Sequence, residues 1–419
     1  MRTVSLFSGA GGLDLGFKWK NFDIIFANVI LRAPAETYSR NFASKIFELE
    51  EFNDCSQPVE HVYVVGDVRE VDFSKLSNVQ VVIGGPPCQD FSIIRSIQGK
   101  RHGIQVERGR LYKEFIRALE TFRPRVFVFE NVPGLVNANS GLAYKTILED
   151  FSNIGYQIIF SDIIDPVYLG VPQRRKRLII IGCLEPPKIS QKQEIEEILS
   201  GRRFLFRKYP LVPIEVLEGR VIPDLQVKYR EIAEEYKEIF EISPTSDIVS
   251  DYINACGVTD LDFRELDKAF EQHESLLKTL GFFGKSLHTA VFSDGSNCIP
   301  KEKQHVLERM RLIPPGGNHK FVLGTKYEVK GRGLSMKCKR LHPLKPAYTL
   351  IATGGDSEGF HYERNRSKIT NRERARLQTF PDEFLFSGTI GKIRAQIGES
   401  VPPLLAATLA EVVSLFFES

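Results

Sequence analysis

Seven short apolar runs in the first 182 residues constrain what this chain can fold into. They are Thr3 to Phe7, Phe22 to Asn28, His61 to Val65, Val79 to Ile83, Arg125 to Glu130, Tyr156 to Ile164 and Arg177 to Gly182. Each is of strand length and rich in Val, Ile or Phe. Helical stretches stand between several of them, one beginning near Leu13 and one at Leu111 to Phe122. Strands alternating with helices predict an α/β fold, doubly wound around a mostly parallel sheet. Such sheets bind ligands outside the carboxyl ends of their strands. The residues just after each run are therefore the ones to read for chemistry.

The first run leads into Phe7-Ser8-Gly9-Ala10-Gly11-Gly12. A glycine turn between strand and helix lets a ligand approach backbone N–H groups closely. The G-x-G-x-x-G spacing of dinucleotide sites fails, because Asp14 stands where the third glycine would be. A nucleotide-like ligand without a pyrophosphate is expected. The third run ends at Gly66-Asp67-Val68, where Asp67 is either an acceptor for a ligand amine or a turn cap. The fourth delivers Gly84-Gly85-Pro86-Pro87-Cys88-Gln89. Glycines permit unusual backbone angles there and prolines stiffen the turn, so Cys88 is held out as a nucleophile. The alternative is an incidental structural cysteine. The fifth run ends at Glu130-Asn131-Val132, and Gln173-Arg174-Arg175-Lys176-Arg177 precedes the last. Cations raise the thiolate fraction of a nearby cysteine. A thiolate, an acid and an arginine together suit addition to an electron-poor ring.

Composition sets the class. Hydrophobic residues make up 42% and charged residues 26%, as in an ordinary soluble protein. The six cysteines form no CxxC pair, so neither a metal site nor a disulfide framework is expected, and free thiols fit a cytoplasmic setting. No apolar run has the length of a membrane span, so no membrane partner is expected. The net charge of +3 hides two tracts. Glu215 to Lys278 holds sixteen acids against seven Lys/Arg, and Gly324 to Arg376 holds thirteen Lys/Arg against five acids. The basic tract predicts a polyanion surface, with the acidic tract on a different face. Helices are expected at Val227 to Phe240, Phe263 to Leu280, Ile369 to Phe380 and Pro402 to Phe417, and a short strand at Ala347 to Ala352.

Together these motifs resemble those of the DNA (cytosine-5) methyltransferases of bacterial restriction–modification systems. Phe7 to Gly12 resembles the family's S-adenosylmethionine loop, and Gly66-Asp67-Val68 its adenine-contacting turn. Gly85-Pro86-Pro87-Cys88-Gln89 matches the catalytic loop, Glu130-Asn131-Val132 the ENV motif and Gln173 to Arg177 the QxRxR motif. Arg372 to Pro381 matches the RE.ARLQ.FP block, and Gln396 to Pro403 resembles the last motif. The order is the family's, and only about Glu185 to Val306 lacks its motifs.

The resemblance implies a Rossmann-like S-adenosylmethionine-dependent fold with a second, smaller target-recognition domain. The catalytic domain is expected at residues 1–185, completed by 391–419. Target recognition and hinge are expected at 186–390, with an acidic helical insertion at about 215–280. The resemblance implies that Cys88 adds to carbon 6 of a flipped-out cytosine in double-stranded DNA. Glu130 would contact ring N3 and the exocyclic amine, Arg175 would stabilise the adduct, and Arg177 would support the site. Phe7, Ser8, Gly9, Ala10, Gly11, Gly12, Asp67, Val68, Pro87, Ser400 and Val401 would hold S-adenosyl-L-methionine. A monomer and a separately acting cognate restriction endonuclease are implied. Two positions depart from the family: Val29 stands where an acid usually holds the cofactor's ribose, and Glu399 where Asn is common. One lost hydrogen bond to a sugar costs roughly 0.5–1.5 kcal/mol, about tenfold in affinity. The rival readings are a transfer-RNA cytosine-5 methyltransferase and a catalytically silent DNA-binding homologue.

Overall fold

A computed structural model describes residues 1–57, 59–87, 111–237, 247–331 and 333–418. The chain begins β1 (Arg2–Leu6), α1 (Gly12–Trp19), β2 (Asp23–Val29), α2 (Arg32–Phe42), β3 (Lys45–Glu48), α3 (Leu49–Asp54), β4 (Val62–Val65) and β5 (Val81–Gly84). It continues α4 (Leu111–Phe122), β6 (Val126–Asn131), α5 (Leu142–Asn153), β7 (Gln157–Ile164), β8 (Arg177–Cys183) and α6 (Ile189–Ser200). Then come α7 (Pro213–Glu218), α8 (Gln226–Tyr236), α9 (Ile248–Cys256), α10 (Phe263–Thr279), α11 (Gln304–Arg311), α12 (Asn371–Leu377), α13 (Ile390–Glu399) and α14 (Pro403–Ser414). No helix among the described residues is long and apolar enough to cross a membrane.

All seven expected strands form, and an eighth, β3, joins them. The sheet order is β3-β4-β2-β1-β5-β6-β8-β7. From β1 the chain winds to one side, then returns at β5 to build the other. The crevice such a reversal opens lies at the carboxyl ends of β1 and β5. Register aligns these ends: Leu6 lies beside Gly84, and Gly84 beside Phe129. The next residues, Phe7, Gly85 and Glu130, therefore leave the sheet at one level. Strands β1 to β6 pair in parallel, but β8 runs antiparallel to both β6 and β7. The reversal has a use: it brings the start of β8, with Arg177, to the edge where the parallel strands end.

Two compact units are distinguishable. The first comprises Met1–Asp165, Lys176–Ser200 and Ser400–Ser419. Its core packs Val4, Leu6, Ile25, Val64 and Val82 with Phe115 of α4 and Phe151 of α5. Helix α14 packs on α1. Gly16 permits this, since a Cβ there would lie 2.4 Å from Ala406 Cβ, Ala407 N and Pro403 O. The second unit comprises Pro166–Arg175 and Gly201–Glu399. Its edges differ from the expected 185/186 and 390/391 boundaries: α6 groups with the sheet, whereas 166–175 and α13 group with the second unit.

The second unit corrects the reading of the charge tracts. The two tracts share a core, and some of their charges meet rather than facing apart. Tyr236, Ile248 and Leu266 from the acidic segment pack with Leu341, Tyr362 and Leu377 from the basic one. Lys228 pairs with Glu363 at 2.6 Å, and Glu235 Oε2 accepts from the Arg364 N–H at 2.7 Å. Arg340, Arg372, Arg374 and Arg376 are buried. Arg340 donates to the carbonyls of His361 and Glu363, and Arg376 to Asp382 and the carbonyls of Val216 and Lys285. Buried arginines persist where their N–H groups find acceptors. The expected strand at Ala347 to Ala352 is absent; Ala347 makes one isolated bridge to Gln173. The expected Arg-rich helix is shorter, because Thr370 and Glu373 form a capping box that starts α12 at Asn371. Of the helix expected at Val227 to Phe240, residues from 238 lie outside the described residues.

Candidate active site

The first unit gathers three of the motifs at one sheet edge. Glu130, near the end of β6, and Arg177, at the start of β8, form an ion pair of 2.7 Å between Oε1 and Nε. Their side chains are only 12% and 11% exposed, which shields the pair from water and strengthens it. Arg177 Nη1 also donates to the Lys176 carbonyl at 2.8 Å. The other carboxyl oxygen of Glu130 faces Gly85. A Cβ at position 85 would lie 2.6 Å from Oε2, so glycine there leaves room for the acid. Asn131 Nδ2 donates to the Pro86 carbonyl at 3.1 Å, and its Oδ1 accepts from the Val132 N–H. The Glu-Asn-Val turn thus holds the Gly-Pro-Pro loop by its backbone. Cys88, next along that loop, lies outside the described residues; Pro86 is buried and Pro87 exposed.

The geometry redistributes the arginines. Arg175, expected to stabilise an adduct, belongs to the second unit. Its guanidinium donates to the carbonyls of Leu350 at 3.0 Å and Gly398 at 2.6 Å, and it is 1% exposed. Arg177, expected to support, is the residue that touches Glu130. Gln173 bonds to Gln378 and to the Leu350 N–H.

The glycine turn lies at the end of β1. Phe7 has φ 58, an uncommon angle for an aromatic residue, and Gly9 and Gly11 have φ 55 and 89. The Ser8 N–H donates to the Asn28 carbonyl, and Gly11 N–H to the Ser8 carbonyl, each at 2.9 Å. Above Gly9 a Cβ would meet nothing within 4 Å, so that side is open. Beneath Gly11 it would strike Phe42 at 2.7 Å and Tyr38 at 2.8 Å. Ala10 and Gly12 are buried on the inner side. A turn open on one face and backed by rings on the other fits a cofactor cradle.

Asp67 performs the capping role. Its carboxylate accepts from the Arg69 N–H and pairs with the Arg69 guanidinium, which holds it below the usual carboxylate range. Val68 is buried, and its carbonyl accepts from Arg117 at 2.7 Å. Ser400 and Val401 are buried just before α14, while Glu399 ends α13 in the second unit. Val29 packs against the cluster of Ala27, Ala35, Tyr38, Tyr63 and Val65, so an apolar contact takes the place of the family's acid.

Sequence reasoning missed several residues. Asn28 Nδ2 donates to the Val64 and Gly66 carbonyls at 3.1 Å each, tying the ends of β2 and β4. Tyr63 donates to the Gly9 carbonyl, and Tyr38 to Asp14 Oδ1 at 3.1 Å. Asp14 itself signalled its importance by displacing the third glycine, but its partners are far away in sequence.

Comparison with known proteins decides the family. A family model described as C-5 cytosine-specific DNA methylase matches residues 1–414. The chain belongs to this family. It is a DNA cytosine-5 methyltransferase. It is 46% identical to the DNA (cytosine-5-)-methyltransferase M.ApeKI of Aeropyrum pernix, over 98% of each chain. It is 30% identical to the type II methyltransferase M.BbvI of Brevibacillus brevis, over 98% of this chain and 90% of the relative. Among solved structures it matches a DNA modification methyltransferase encoded within an E. coli prophage, with a TM-score of 0.59, 22% identity and full coverage of both chains. It also matches the S. pombe Dnmt2 methyltransferase, with a TM-score of 0.52, 14% identity and 99% and 98% coverage. These structural likenesses bear on the fold, which is the expected doubly wound α/β sheet.

Proposed function

We propose that this enzyme methylates carbon 5 of a flipped-out cytosine within a specific double-stranded DNA sequence, through a covalent adduct of Cys88. The Glu130–Arg177 pair, held against the Gly85-Pro86 loop, is the observation that supports this reading. The Cys88 thiolate adds to carbon 6 of the ring, and its electron pair displaces ring density onto N3 and carbon 5. The Glu130 carboxyl faces N3 and the exocyclic amine; Arg177 supplies N–H donors beside it, the role the family resemblance gives to Arg175. S-adenosyl-L-methionine supplies an electrophilic methyl group, and the turn from Phe7 to Gly12 with Ser400 and Val401 would hold it. After carbon 5 is methylated, loss of its proton returns the electron pair, breaks the bond to Cys88 and restores the ring. Closing the Gly-Pro-Pro loop on Glu130 keeps water from the adduct.

The second unit carries target recognition in this proposal. Its Lys320, Lys326 and Lys330 are exposed, and the sequence-near Phe321 and Leu323 are about half exposed. Lysines suit phosphates, and apolar tips suit base edges and thymine methyls. The biological role is protection of host DNA from a separately acting cognate restriction endonuclease, by a cytoplasmic monomer. The decisive test uses a duplex with 5-fluorocytosine, whose fluorine blocks the final proton loss. Wild type with cofactor should form a covalent complex resistant to denaturant, and Cys88→Ser should form none while still binding DNA. An active wild type that forms no adduct refutes the Cys88 assignment.

A further inference from the structure

The strand end that carries the sugar of a nucleotide in doubly wound sheets is apolar in this chain. In such sheets an acid at the end of the second strand accepts from the ribose hydroxyls. Here β2 ends at Val29. Two backbone bonds place this end. The Ser8 N–H of the glycine turn donates to the Asn28 carbonyl at 2.9 Å, and the Gly66 N–H donates to the Val29 carbonyl at 3.0 Å. Residues 28 and 29 thus join the glycine turn to the Gly66-Asp67 turn. The Val29 side chain packs against Ala35 and Tyr38 of α2 and Tyr63 and Val65 of β4. Ile30 and Leu31, which follow, are 66% and 59% exposed, so apolar surface continues past the strand end.

The neighbouring polar groups are already engaged. Glu48 ends β3 and pairs with Arg32 at the start of α2. Register sets Glu48 level with Val65 and Val29, two strand spacings or about 10 Å from Val29. Asp67 accepts from the Arg69 N–H and from Arg69 Nε, each at 3.0 Å. Asn28 is buried, with its amide committed to the Val64 and Gly66 carbonyls. A sugar hydroxyl laid on Val29 and Ile30 loses water and gains no acceptor, which is unfavourable. The hydroxyls are better placed facing solvent. We propose that this enzyme holds its cofactor without a hydrogen bond to the ribose hydroxyls, and that Val29 makes it tolerant of cofactors with a deoxygenated sugar. This rests on reading the turn from Phe7 to Gly12 as the cofactor site. An acid at position 29 rejects such an analogue, because its oxygens are left unpaired when the hydroxyl is gone. A valine leaves nothing unpaired.

The test is calorimetric binding, on the full chain, of S-adenosylhomocysteine and of its 2′-deoxy and 3′-deoxy analogues. None of these probes can transfer a methyl group, so the readout is affinity alone. Wild type should bind all of them within about threefold of one another. Val29→Glu should bind S-adenosylhomocysteine about tenfold more tightly than wild type and prefer it about tenfold over at least one deoxy analogue. Val29→Ala, which alters packing but adds no acceptor, should keep the wild-type ratios. A merely structural Val29 would not change the preference between sugars. Wild type that prefers S-adenosylhomocysteine about tenfold or more over either analogue overturns the proposal, and this comparison needs no variant to fold. A folded Val29→Glu that gains no preference overturns it as well. Wild type that binds none of the probes refutes the cofactor site beneath the proposal instead.

Discussion

At the scale of single residues, the two arginines of one motif make different contacts: Arg177 pairs with Glu130, while Arg175 donates to the Leu350 and Gly398 carbonyls. Arg177→Ala should lower kcat by ~10²–10³-fold, the usual cost of removing a charge-assisted donor, with little change in melting temperature. Arg175→Ala should leave the Leu350 and Gly398 carbonyls without their donor and cost about 1–3 kcal/mol of stability. Paired melting curves and steady-state rates separate the two, and the reverse pattern would restore the family-based assignment. Asp14 offers a pH prediction. Its pKa is raised on folding, so the folded state holds the proton more tightly than the unfolded chain. Its cost is therefore absent well below pH 4, grows as pH rises toward 6, and is fully present above. Asp14→Asn should raise stability on the order of 1–3 kcal/mol at pH 7.5 and leave it nearly unchanged at pH 4, by urea denaturation. At this scale the sequence was most legible where motifs are contiguous. The places of Glu130 and of the glycine turn at the strand ends could be read directly, but which arginine meets Glu130 could not. Both lie two residues apart on one cationic run; only the direction of β8 and the packing of the second unit decide which guanidinium faces Glu130.

At the scale of elements, strand positions were legible because buried parallel strands are nearly continuous in Val, Ile and Phe. Strand direction was not, since an apolar run reads the same both ways. The strand β3 escaped because Lys45 and Glu48 leave it only two apolar residues. Helix packing was also hidden. Gly16 reads as a weak point in α1, yet it is the place where α14 approaches. Gly16→Ala should destabilise the protein by about 1–3 kcal/mol, the cost of overpacking against backbone that cannot retreat. Chemical denaturation checks it, and a neutral outcome would mean that α14 can shift outward without cost. In the catalytic loop, Gly85→Ala should act differently. The added methyl meets a side chain rather than backbone, so Glu130 moves instead of the fold. Turnover should fall at least tenfold with melting temperature and S-adenosylhomocysteine affinity near wild type.

At the scale of the whole molecule, charge counted along the sequence misled. The tracts at 215–278 and 324–376 looked like two surfaces, but chain-distant segments can neutralise one another inside a core, as Lys228 with Glu363 does. A tract's net charge therefore overstates the polyanion surface by its buried arginines. Neutralising exposed Lys326 and Lys330 should weaken DNA binding and lower its salt slope by about 0.9 for each phosphate that no longer meets a cation. Arg340→Gln should instead lower the melting temperature, because that side chain holds backbone. Affinity measured against salt, beside melting curves, tests both; an unchanged slope for the lysine pair would move the recognition surface elsewhere. Finally, the helix that seats against Gly16 is made long after α1. On the ribosome, the apolar face of α1 waits uncovered while nearly four hundred further residues are synthesised. The second unit, apart from residues 166–175, is one continuous stretch and can fold meanwhile. A nascent or prematurely stopped chain is thus left with an incomplete first unit and an adhesive helix face, an early mark for proteolytic disposal.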